Sequence, residues 1–325
     1  MILQECTRRT GLFAALLRPA SPAAVLLMFL VSALPLSAIS VVERGAETLR
    51  IRHPGGETEV PVQPERVAAI GYLITDALVA MGHPPVVADR PHEQLAALPE
   101  MRVLRDVASL GNLSTPNVEA VIAAEPELIL IHEKFAGRRT LRRLGRVAPT
   151  VVVTARHPVE LTAQIGLTLA RESSAAEVIR QYRQERREAR SRISAAVGAG
   201  ETAAFLRVRP RVVRLYAAGT GPGRILYEEL GLEPGPSVAL SPDELWVNLS
   251  LEELRRIEAE HIFLGVDPGA GGRGDDVRDH PLWQDLPAVR AGNIHEVRSM
   301  LWIAGDDGPI GARHIRRDIV EALSP

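Results

Sequence analysis

A stretch of about forty residues without a strand pattern divides the chain into two parts that are both rich in short apolar strands. From Gln181 to Ser194 this stretch is dense in arginine and glutamate, while apolar residues recur at helical spacing. Those apolar positions are Val178, Ile179, Tyr182, Ala189 and Ile193. Mixed charges with an apolar stripe predict a solvated amphipathic helix rather than a nucleic-acid-binding arm. At 1.5 Å per residue, a helix of about 25 residues extends for about 37 Å, which is enough to connect two lobes.

The part of the chain before this stretch alternates short apolar strands with helices. It opens with a hairpin from Leu49 to Val62 that turns at His53-Pro54-Gly55-Gly56. Further strands are predicted over residues 66–70, 85–88, 128–131 and 151–153, and helices over 75–81, 118–124 and 141–147. Such alternation is typical of a parallel sheet that is covered by helices on both faces.

The same alternation resumes after residue 199. Ala204–Val208 and Val212–Tyr216 predict a hairpin that turns at Pro210. Further elements are strands over 261–266 and 294–297, helices over 225–230, 251–257 and 310–323, and a mobile glycine-rich loop over 267–276. The predicted fold is therefore α/β, with two Rossmann-like lobes that have parallel-rich central sheets and are bridged by one long α-helix. The N-terminal lobe is placed at 48–158, the helical segment at 159–199 and the C-terminal lobe at 200–325.

The first forty residues have the order of a secretory signal. Three arginines precede an apolar run over residues 23–34, and small residues follow it, with Ala38 and Ser40 spaced A-x-S. The run is shorter than the roughly twenty residues of a membrane span. A signal peptide over 1–40 is predicted, with export to the periplasm or the extracytoplasmic cell surface; an uncleaved N-terminal anchor is the alternative. The single cysteine, Cys6, precedes the apolar run, so the mature chain has no thiol for a disulfide, a metal site or a lipid anchor.

No motif in the sequence indicates catalysis. Glycine clusters at residues 219–223 and 269–272 lack the Lys-Ser/Thr of a P-loop and the full dinucleotide-binding fingerprint. Asp306-Asp307 is a carboxylate pair for which the sequence indicates no partner. The nine histidines form no H-x-x-x-H or H-E-x-x-H pair, although His132 and His157 follow strands and could face a cleft. A net charge of −2 gives no reason to expect nucleic acid as a partner, and an exported enzyme of unknown reaction is a distant alternative.

Five blocks of the sequence resemble, in order, the family of substrate-binding proteins for siderophores, haem and cobalamin. They are PERVAAIGYLITDALVAMGHPPVVADR (Pro64–Arg90), LGNLSTPNVEAVIAAEPELILIH (Leu110–His132), FLRVRPRVVRLYAAGTGPGRILYEELGL (Phe205–Leu232), LSLEELRRIEAEHIFL (Leu249–Leu264) and HPLWQDLPAVRAGNIHEV (His280–Val297). The third block resembles the siderophore branch specifically. The resemblance covers nearly all of residues 60–325, and it departs from the family at Glu127, where aspartate is usual, and in the missing lipid-carrying cysteine.

The resemblance implies a monomeric binding protein, not an enzyme, that holds a ferric siderophore between two lobes and delivers it to the permease dimer of an ABC importer. It also implies a stiff connecting helix and therefore little closure of the lobes around the ligand. Because the siderophore supplies the oxygen ligands of the iron, no cofactor and no metal-binding shell are expected from the protein. Haem, cobalamin or a metal ion is the alternative cargo.

A ferric siderophore with net negative charge requires cationic groups and apolar or aromatic walls. Arg207 and Arg209 share one face of a predicted strand, where two arginines are costly to bury without an anion. The resemblance therefore makes Arg209 the first candidate for ligand binding, ahead of Arg207 and Arg214. The other candidates are Tyr216 at the end of the hairpin, Trp246, Trp302 in a predicted loop, Tyr72 after the first strand of the lobe and Arg298 after the last strand. A solvated edge strand and ordinary packing of the aromatic residues are the alternatives.

Two glutamates match positions at which the family contacts its permease. They are Glu119 in PNVE and Glu252 in SLEE, one on each lobe. Two separated, exposed carboxylates can steer and orient the protein on a dimeric partner. The alternative is that both are solvated glutamates at the starts of helices, where the helix dipole favours a negative charge.

Overall fold

The computed structural model describes residues 39–89, 93–111, 116–155, 157–198, 200–219, 221–238 and 244–324. The predicted signal peptide lies outside the described residues except for Ile39 and Ser40. The turn predicted at Ser241-Pro242-Asp243 lies outside them as well.

A small antiparallel sheet precedes the N-terminal lobe. Its strands are β1 (Ser40–Arg44), β2 (Thr48–His53) and β3 (Gly56–Pro61), in the order β1-β2-β3. The second and third strands are the predicted hairpin. Burial alternates along β2 because successive side chains of a strand point to opposite faces. The ring of His53 accepts the backbone N–H of Val152 at 3.1 Å, which ties this sheet to the lobe.

Five parallel strands form the sheet of the N-terminal lobe. They are β4 (Val67–Ile70), β5 (Val87–Ala88), β6 (Ala108–Ser109), β7 (Leu128–His132) and β8 (Thr150–Val153), in the order β6-β5-β4-β7-β8. All residues of β4, β7 and β8 are buried, as expected for strands that are covered on both faces. The helices of this lobe are α1 (Tyr72–Ala80), α2 (Glu93–Ala96), α3 (Val118–Ala123), α4 (Arg138–Leu144) and α5 (Pro158–Thr168), with 3₁₀ turns at Pro99–Leu104 and Glu133–Phe135.

The long helix predicted between the lobes is α6 (Glu172–Ala196), which has 25 residues. Ala175 and Val178 near its start belong to the core of the N-terminal lobe. Tyr182, Ala189 and Ile193 belong to the core of the C-terminal lobe. One apolar stripe therefore packs against both lobes in turn, and this double burial stabilises a helix whose remaining surface is mostly charged.

The C-terminal lobe contains a mixed sheet of six strands. They are β9 (Thr202–Arg209), β10 (Val212–Tyr216), β11 (Glu233–Pro234), β12 (Trp246–Leu249), β13 (His261–Val266) and β14 (Ile294–Val297). The order is β12-β10-β9-β13-β14, with β11 also beside β9. The predicted hairpin of β9 and β10 is antiparallel, whereas β9, β13 and β14 are parallel. The short strand β12 has no counterpart among the strands predicted from the sequence.

The helices of the C-terminal lobe are short except for the last one. They are α7 (Gly271–Asp279), α8 (Pro281–Gln284), α9 (Pro287–Ala291), α10 (Ser299–Ala304) and α11 (Pro309–Leu323), with a π-helical turn at Arg224–Glu229 and 3₁₀ turns at Pro236–Val238 and Leu254–Arg256.

Two local predictions in this lobe are wrong. The helix predicted over 251–257 is a turn followed by three 3₁₀ residues, because the backbone is extended at Ile257 (φ −82°, ψ 106°) and leads towards β13. The loop predicted over 267–276 contains the start of α7. There, Val277 is buried in the core of the lobe, and this packing outweighs the poor helix propensity of the glycines.

Side chains of the N-terminal lobe hold two helices of the C-terminal lobe. The Gln94 side chain accepts the first backbone N–H groups of α10 at 2.8 and 3.3 Å. The Asp76 carboxylate accepts those of α11 at 2.8 and 2.9 Å. Such N–H groups have no partner within their own helix, so Gln94 and Asp76 are cross-lobe caps. Glu100 adds an ion pair to His314 on α11 at 3.1 Å, and both lobes belong to one compact unit.

Candidate functional site

A cavity of about 780 Å³ lies between the two lobes. The N-terminal lobe contributes the three residues His132, Glu133 and Lys134 at the carboxyl end of β7, where open parallel sheets bind ligands. The C-terminal lobe contributes Arg207, Arg214, Tyr216, Gly221, Pro222, Leu245, Trp246, Ile303, Asp306 and Asp307. The cavity thus contains four of the residues predicted from the sequence, and it also contains His132.

The positive charge of Arg207 is compensated by an acidic side chain of the protein itself. It is only 7% exposed. Its Nε and Nη2 donate to the two carboxylate oxygens of Asp267 at 2.7 and 2.9 Å, and its Nη1 donates to the Tyr216 hydroxyl at 3.3 Å. A bidentate pair of this kind is strong and directional. The buried charge that was expected to require a ligand is therefore compensated by Asp267, which immediately follows β13.

Arg209 does not line the cavity. It shares the face of Arg207, as predicted, but it lies two residues further along β9, about 6.6 Å away at the usual rise of a strand. Its Nε is 3.7 Å from a carboxylate oxygen of Asp267, so the same aspartate attracts both arginines. The first candidate from the sequence thus lies beyond the edge of the cavity.

Of the two arginines that line the cavity in the described part of the chain, Arg214 is the one whose terminal nitrogens are available to a ligand. It lies opposite Arg207 in the antiparallel pair of β9 and β10. Its guanidinium lies over the ring of Trp246 at 4.5 Å from the centroid, and its Nε donates to Asn248 at 3.2 Å. Its terminal nitrogens have no hydrogen-bond partner among the described residues. Stacking on an aromatic ring orients a guanidinium without using those nitrogens.

An aromatic wall continues from Arg214 into the lobe. Trp246 is 38% exposed and lies opposite Tyr216 in the pair of β10 and β12. The ring of Tyr216 is 5.9 Å from Trp246 and 5.1 Å from Phe205, measured between centroids. The rings are tilted by about 45° to one another, and the exposed ring of Trp246 provides an aromatic surface next to a cation, which suits the organic frame of a chelate.

Acidic groups also line the cavity. Asp306 and Asp307 form the turn between α10 and α11. The missing partner of this pair is Arg224, whose Nη2 donates to the Asp306 carbonyl at 2.6 Å and lies 3.9 Å from the Asp307 carboxylate. Burial, and then the charge of Asp307, raise the pKa of Asp306 well above its usual range. Glu133 is an exposed carboxylate on the N-terminal lobe.

Two further predicted ligand residues, Trp302 and Arg298, lie elsewhere. Trp302 is in helix α10 rather than in a loop, is 0% exposed, and stacks in the core against Phe205 and Phe263. Its indole N–H donates to Asp318 at 3.1 Å, and Arg298 donates to the same carboxylate at 2.8 Å, so both residues have structural partners away from the cavity.

Tyr72 and His157 are placed at helix starts. Tyr72 is the first residue of α1, and burial and the neighbouring charge of Asp89 raise the pKa of its hydroxyl. His157 caps α5 by accepting the N–H of Val159 at 3.1 Å. Neither residue is part of the cavity lining.

Both predicted docking glutamates are exposed. Glu119 lies in the first turn of α3, beside a groove that contains Ile122, Arg143 and Arg146. Ile122 is 55% exposed, which is unusual for a large aliphatic side chain. Glu252 lies in the turn after β12, and hydrogen bonds from its own N–H and from the Ser250 hydroxyl lower its pKa.

Two kinds of feature are absent from the described residues. No three histidine, cysteine or acidic side chains in these ranges come together as a metal-binding group. No helix in the same ranges has the length and hydropathy to cross a bilayer.

Comparison with known proteins identifies the family. The profile of the Periplasmic binding protein family matches residues 67–301, and the chain belongs to that family. It is 25% identical over 271 residues to the achromobactin-binding periplasmic protein of Dickeya dadantii (strain 3937), with 79% of this chain and 85% of that protein covered. It is 22% identical over 260 residues to the Fe(3+)-citrate-binding protein YfmC of Bacillus subtilis (strain 168), with 76% of this chain and 77% of that protein covered.

Solved structures agree on the fold. SirA of Staphylococcus aureus, in complex with staphyloferrin B, superposes with a TM-score of 0.74 at 22% identity and covers 84% of this chain and 98% of its own. The petrobactin-binding protein YclQ of Bacillus subtilis superposes with a TM-score of 0.71 at 14% identity and covers 86% and 99%. The α/β fold with two lobes and one long helix, predicted from the sequence, is thereby confirmed.

Proposed function

We propose that this chain is an exported solute-binding protein that captures a ferric siderophore in the inter-lobe cavity and delivers it to an ABC importer. The observation that carries the proposal is the cavity itself, where Arg214 stacks on Trp246 beside Tyr216. A cation next to an aromatic wall suits a chelate with anionic oxygens on an organic frame. The names of the relatives support iron complexes as the ligand class, since they bind achromobactin and ferric citrate.

A complete chelate is favoured over bare iron. The part of the chain that the structure describes holds no group of side chains suited to a metal ion. Direct binding of iron would require several carboxylate or imidazole ligands around one point. In a siderophore complex, the chelator supplies these ligands, and the protein acts only on the outside of the complex, without a cofactor.

Delivery is proposed to depend on Glu119 and Glu252. Each lobe contributes one of them, both are exposed, and neither contacts the cavity. One exposed glutamate on each lobe suits a permease dimer with one basic site on each subunit, where charge pairs steer encounter and set orientation. The exposed Ile122 beside Glu119 would add an apolar contact on that lobe. The protein acts as a monomer, after removal of the signal peptide, outside the cytoplasm.

A fluorescence titration tests the ligand assignment. Iron-loaded siderophores should quench the emission of Trp246 and bind with a Kd below about 1 μM, as expected for a pocket of this size. Arg214→Gln should weaken binding about tenfold, the equivalent of one charge-assisted hydrogen bond. Arg209→Gln is the matched control and should change the Kd little. A clear response to haem or cobalamin, without a response to any ferric siderophore, would contradict the assignment.

An uptake experiment tests the docking role. The double variant Glu119→Ala/Glu252→Ala should bind ligand like the wild type and support less siderophore uptake in cells that carry the importer. Substitution of two other exposed glutamates, Glu228→Ala and Glu258→Ala, is the control for the loss of two negative charges. Loss of ligand binding in the docking variant would refute the division of roles between the glutamates and the cavity.

A further inference from the structure

Helix α4 and the turn after it carry a concentration of positive charge. The charged residues are Arg138, Arg139, Arg142, Arg143 and Arg146. All five side chains are exposed, and none of them forms an ion pair or a hydrogen bond with another residue in the described part of the chain. The sequence gives one reason, since it contains no aspartate or glutamate between Glu133 and Glu160. This surface is therefore cationic, although the whole chain has a net charge of −2.

The five arginines lie on one side of the helix. At about 100° per residue, the four arginines within α4 span about 140° of the helix circumference. Leu144, on the opposite side, is buried in the core of the N-terminal lobe. Gly145 has right-handed helical backbone angles (φ −64°, ψ −9°), which continue the turn to Arg146. The arginines thus form one continuous cationic surface, the α4 arginine face.

This arrangement works against the stability of the helix itself. Arg138 and Arg142 are one turn apart, as are Arg139 and Arg143, and like charges at this spacing repel each other. Arg138 and Arg139 also lie in the first turn, where the helix dipole disfavours a positive charge and no acidic residue is present. Helix α6, by contrast, has glutamates among its arginines. Charge that is unfavourable within the chain indicates an anionic partner outside it.

We propose that the α4 arginine face binds the anionic phospholipid headgroups of a membrane surface. A bilayer presents phosphate groups across its whole surface, and arginine forms bidentate hydrogen bonds with phosphate. A protein partner would have to match five separate charges, and protein interfaces are usually centred on buried apolar or aromatic anchors. No large hydrophobic side chain of the described residues is exposed on α4 or on the turn after it. The face therefore suits a lipid surface better than a protein surface.

The position of α4 is compatible with the docking role of Glu119. Arg143 and Arg146 line the same groove as Glu119 and Ile122. With Glu119 on the permease, the rest of the α4 arginine face would lie beside that contact, close to the lipid around the permease. This placement rests on the proposed function, whereas binding of the face to lipid does not. Weak binding to the bilayer would concentrate the loaded protein where it encounters the permease.

Vesicle sedimentation tests the inference with the protein as it is exported from cells. Anionic vesicles contain phosphatidylcholine with about one third phosphatidylglycerol, and neutral vesicles contain phosphatidylcholine alone. The wild type should sediment with the anionic vesicles and not with the neutral ones. It should be released from the anionic vesicles when salt is raised from about 0.05 M to about 0.5 M, because salt screens the attraction.

A pair of matched variants locates the binding surface. Arg138→Gln/Arg142→Gln, the α4 variant, removes two charges of the face outside the groove. Each arginine near an anionic surface contributes about fivefold in affinity, so this variant should bind anionic vesicles about 25-fold more weakly. Arg183→Gln/Arg187→Gln removes two exposed arginines with the same spacing from α6 and should change the affinity by less than about twofold. All four side chains are exposed, so both variants should fold.

The outcomes separate this inference from the proposed function. Equal binding to anionic and neutral vesicles, or equal weakening in both double variants, overturns the inference. It is also overturned if the α4 variant binds anionic vesicles like the wild type and loses binding to the detergent-solubilised permease, because the face is then a protein contact. Titration with ferric siderophores tests the proposed function separately, and the Kd of the α4 variant should equal that of the wild type. Vesicle binding that depends on the α4 arginine face, in a protein that binds no ferric siderophore, supports this inference and contradicts the proposed function.

Discussion

The pair of Arg207 and Asp267 should be one of the most strongly coupled interactions in the protein. Only 9% and 11% of the two side chains are exposed, and the pair has two charge-assisted hydrogen bonds of 2.7 and 2.9 Å. Asp267→Asn removes the negative charge and one of the two acceptor oxygens, so the buried guanidinium keeps only an amide oxygen and the Tyr216 hydroxyl as acceptors. Removing one partner of a buried ion pair typically costs about 3–5 kcal/mol, because the other charge is left uncompensated. We expect a loss of that size in the free energy of unfolding.

Arg207→Met should cost less than Asp267→Asn. Asp267 keeps the Ser299 hydroxyl as a donor and has Arg209 at 3.7 Å, so its charge is still partly compensated. In the double variant no buried charge is left alone. The two losses should therefore not add, and the coupling in a double-mutant cycle should be about 2 kcal/mol or more.

Urea unfolding at pH 7, followed by circular dichroism, measures the cycle. The exposed pair of Arg256 and Glu253, at 3.2 Å, is the control and should show no measurable coupling. In Asp267→Asn the freed guanidinium should also respond to anions, so sulfate should raise the Tm of this variant more than that of the wild type. Additive losses, with a coupling below about 0.5 kcal/mol, would refute the conclusion that Asp267 is the anion of Arg207.

Three further results are expected. Burial raises the pKa of Asp76 from 3.8 to about 7, so its stabilising effect is complete below pH 3.8 and is lost as the pH rises to about 7. Between these pH values, the free energy of unfolding of the wild type should fall by about 4 kcal/mol relative to that of Asp76→Asn. If the free energies of unfolding of the two proteins, measured in urea, depend on pH in the same way, this expectation is wrong. Glu229→Gln should lower the free energy of unfolding by about 3 kcal/mol or more, because the Glu229 carboxylate pairs with Arg316 at 2.9 Å in the core. A change below about 1 kcal/mol would contradict a structural role of this ion pair. Exported protein should begin near Ile39 or Val41 by N-terminal sequencing, and a retained Met1 would disprove the signal peptide.

Much of the fold could be predicted from the sequence because its strands are short and continuously apolar. The buried strands β4, β7 and β13 follow directly from such runs, and the hairpin of β2 and β3 follows from the turn residues His53-Pro54-Gly55-Gly56. The 25-residue helix α6 was predictable because its apolar stripe keeps one period over its whole length. The errors at 251–257 and at Trp302 arose where burial against distant residues decides the backbone.

The candidate site was only partly predictable. Strand alternation places Arg207 correctly, but it contains no information on Asp267, which is sixty residues further along the chain. One signal was present: Asp267 directly follows β13, and parallel strands bring their carboxyl ends together. The register pairs Val266 with Val208, so an acidic residue after one strand meets an arginine of its neighbour. The acidic turn at Asp306 and Asp307 had no such signal, since its place depends on contacts between the lobes.

The cross-lobe caps have a consequence for engineering chimeras. Because Gln94 and Asp76 close the first turns of α10 and α11, the N-terminal lobe contains part of the end structure of two helices of the C-terminal lobe. Exchanging the C-terminal lobe for that of a relative would place Gln94 and Asp76 against helices that they do not match, so both caps could be lost at once. In a functional hybrid, the residues at positions 76, 94 and 100 would have to come from the same relative as helices α10 and α11. In this molecule, a single lobe therefore cannot be exchanged between relatives without the cap residues of the other lobe.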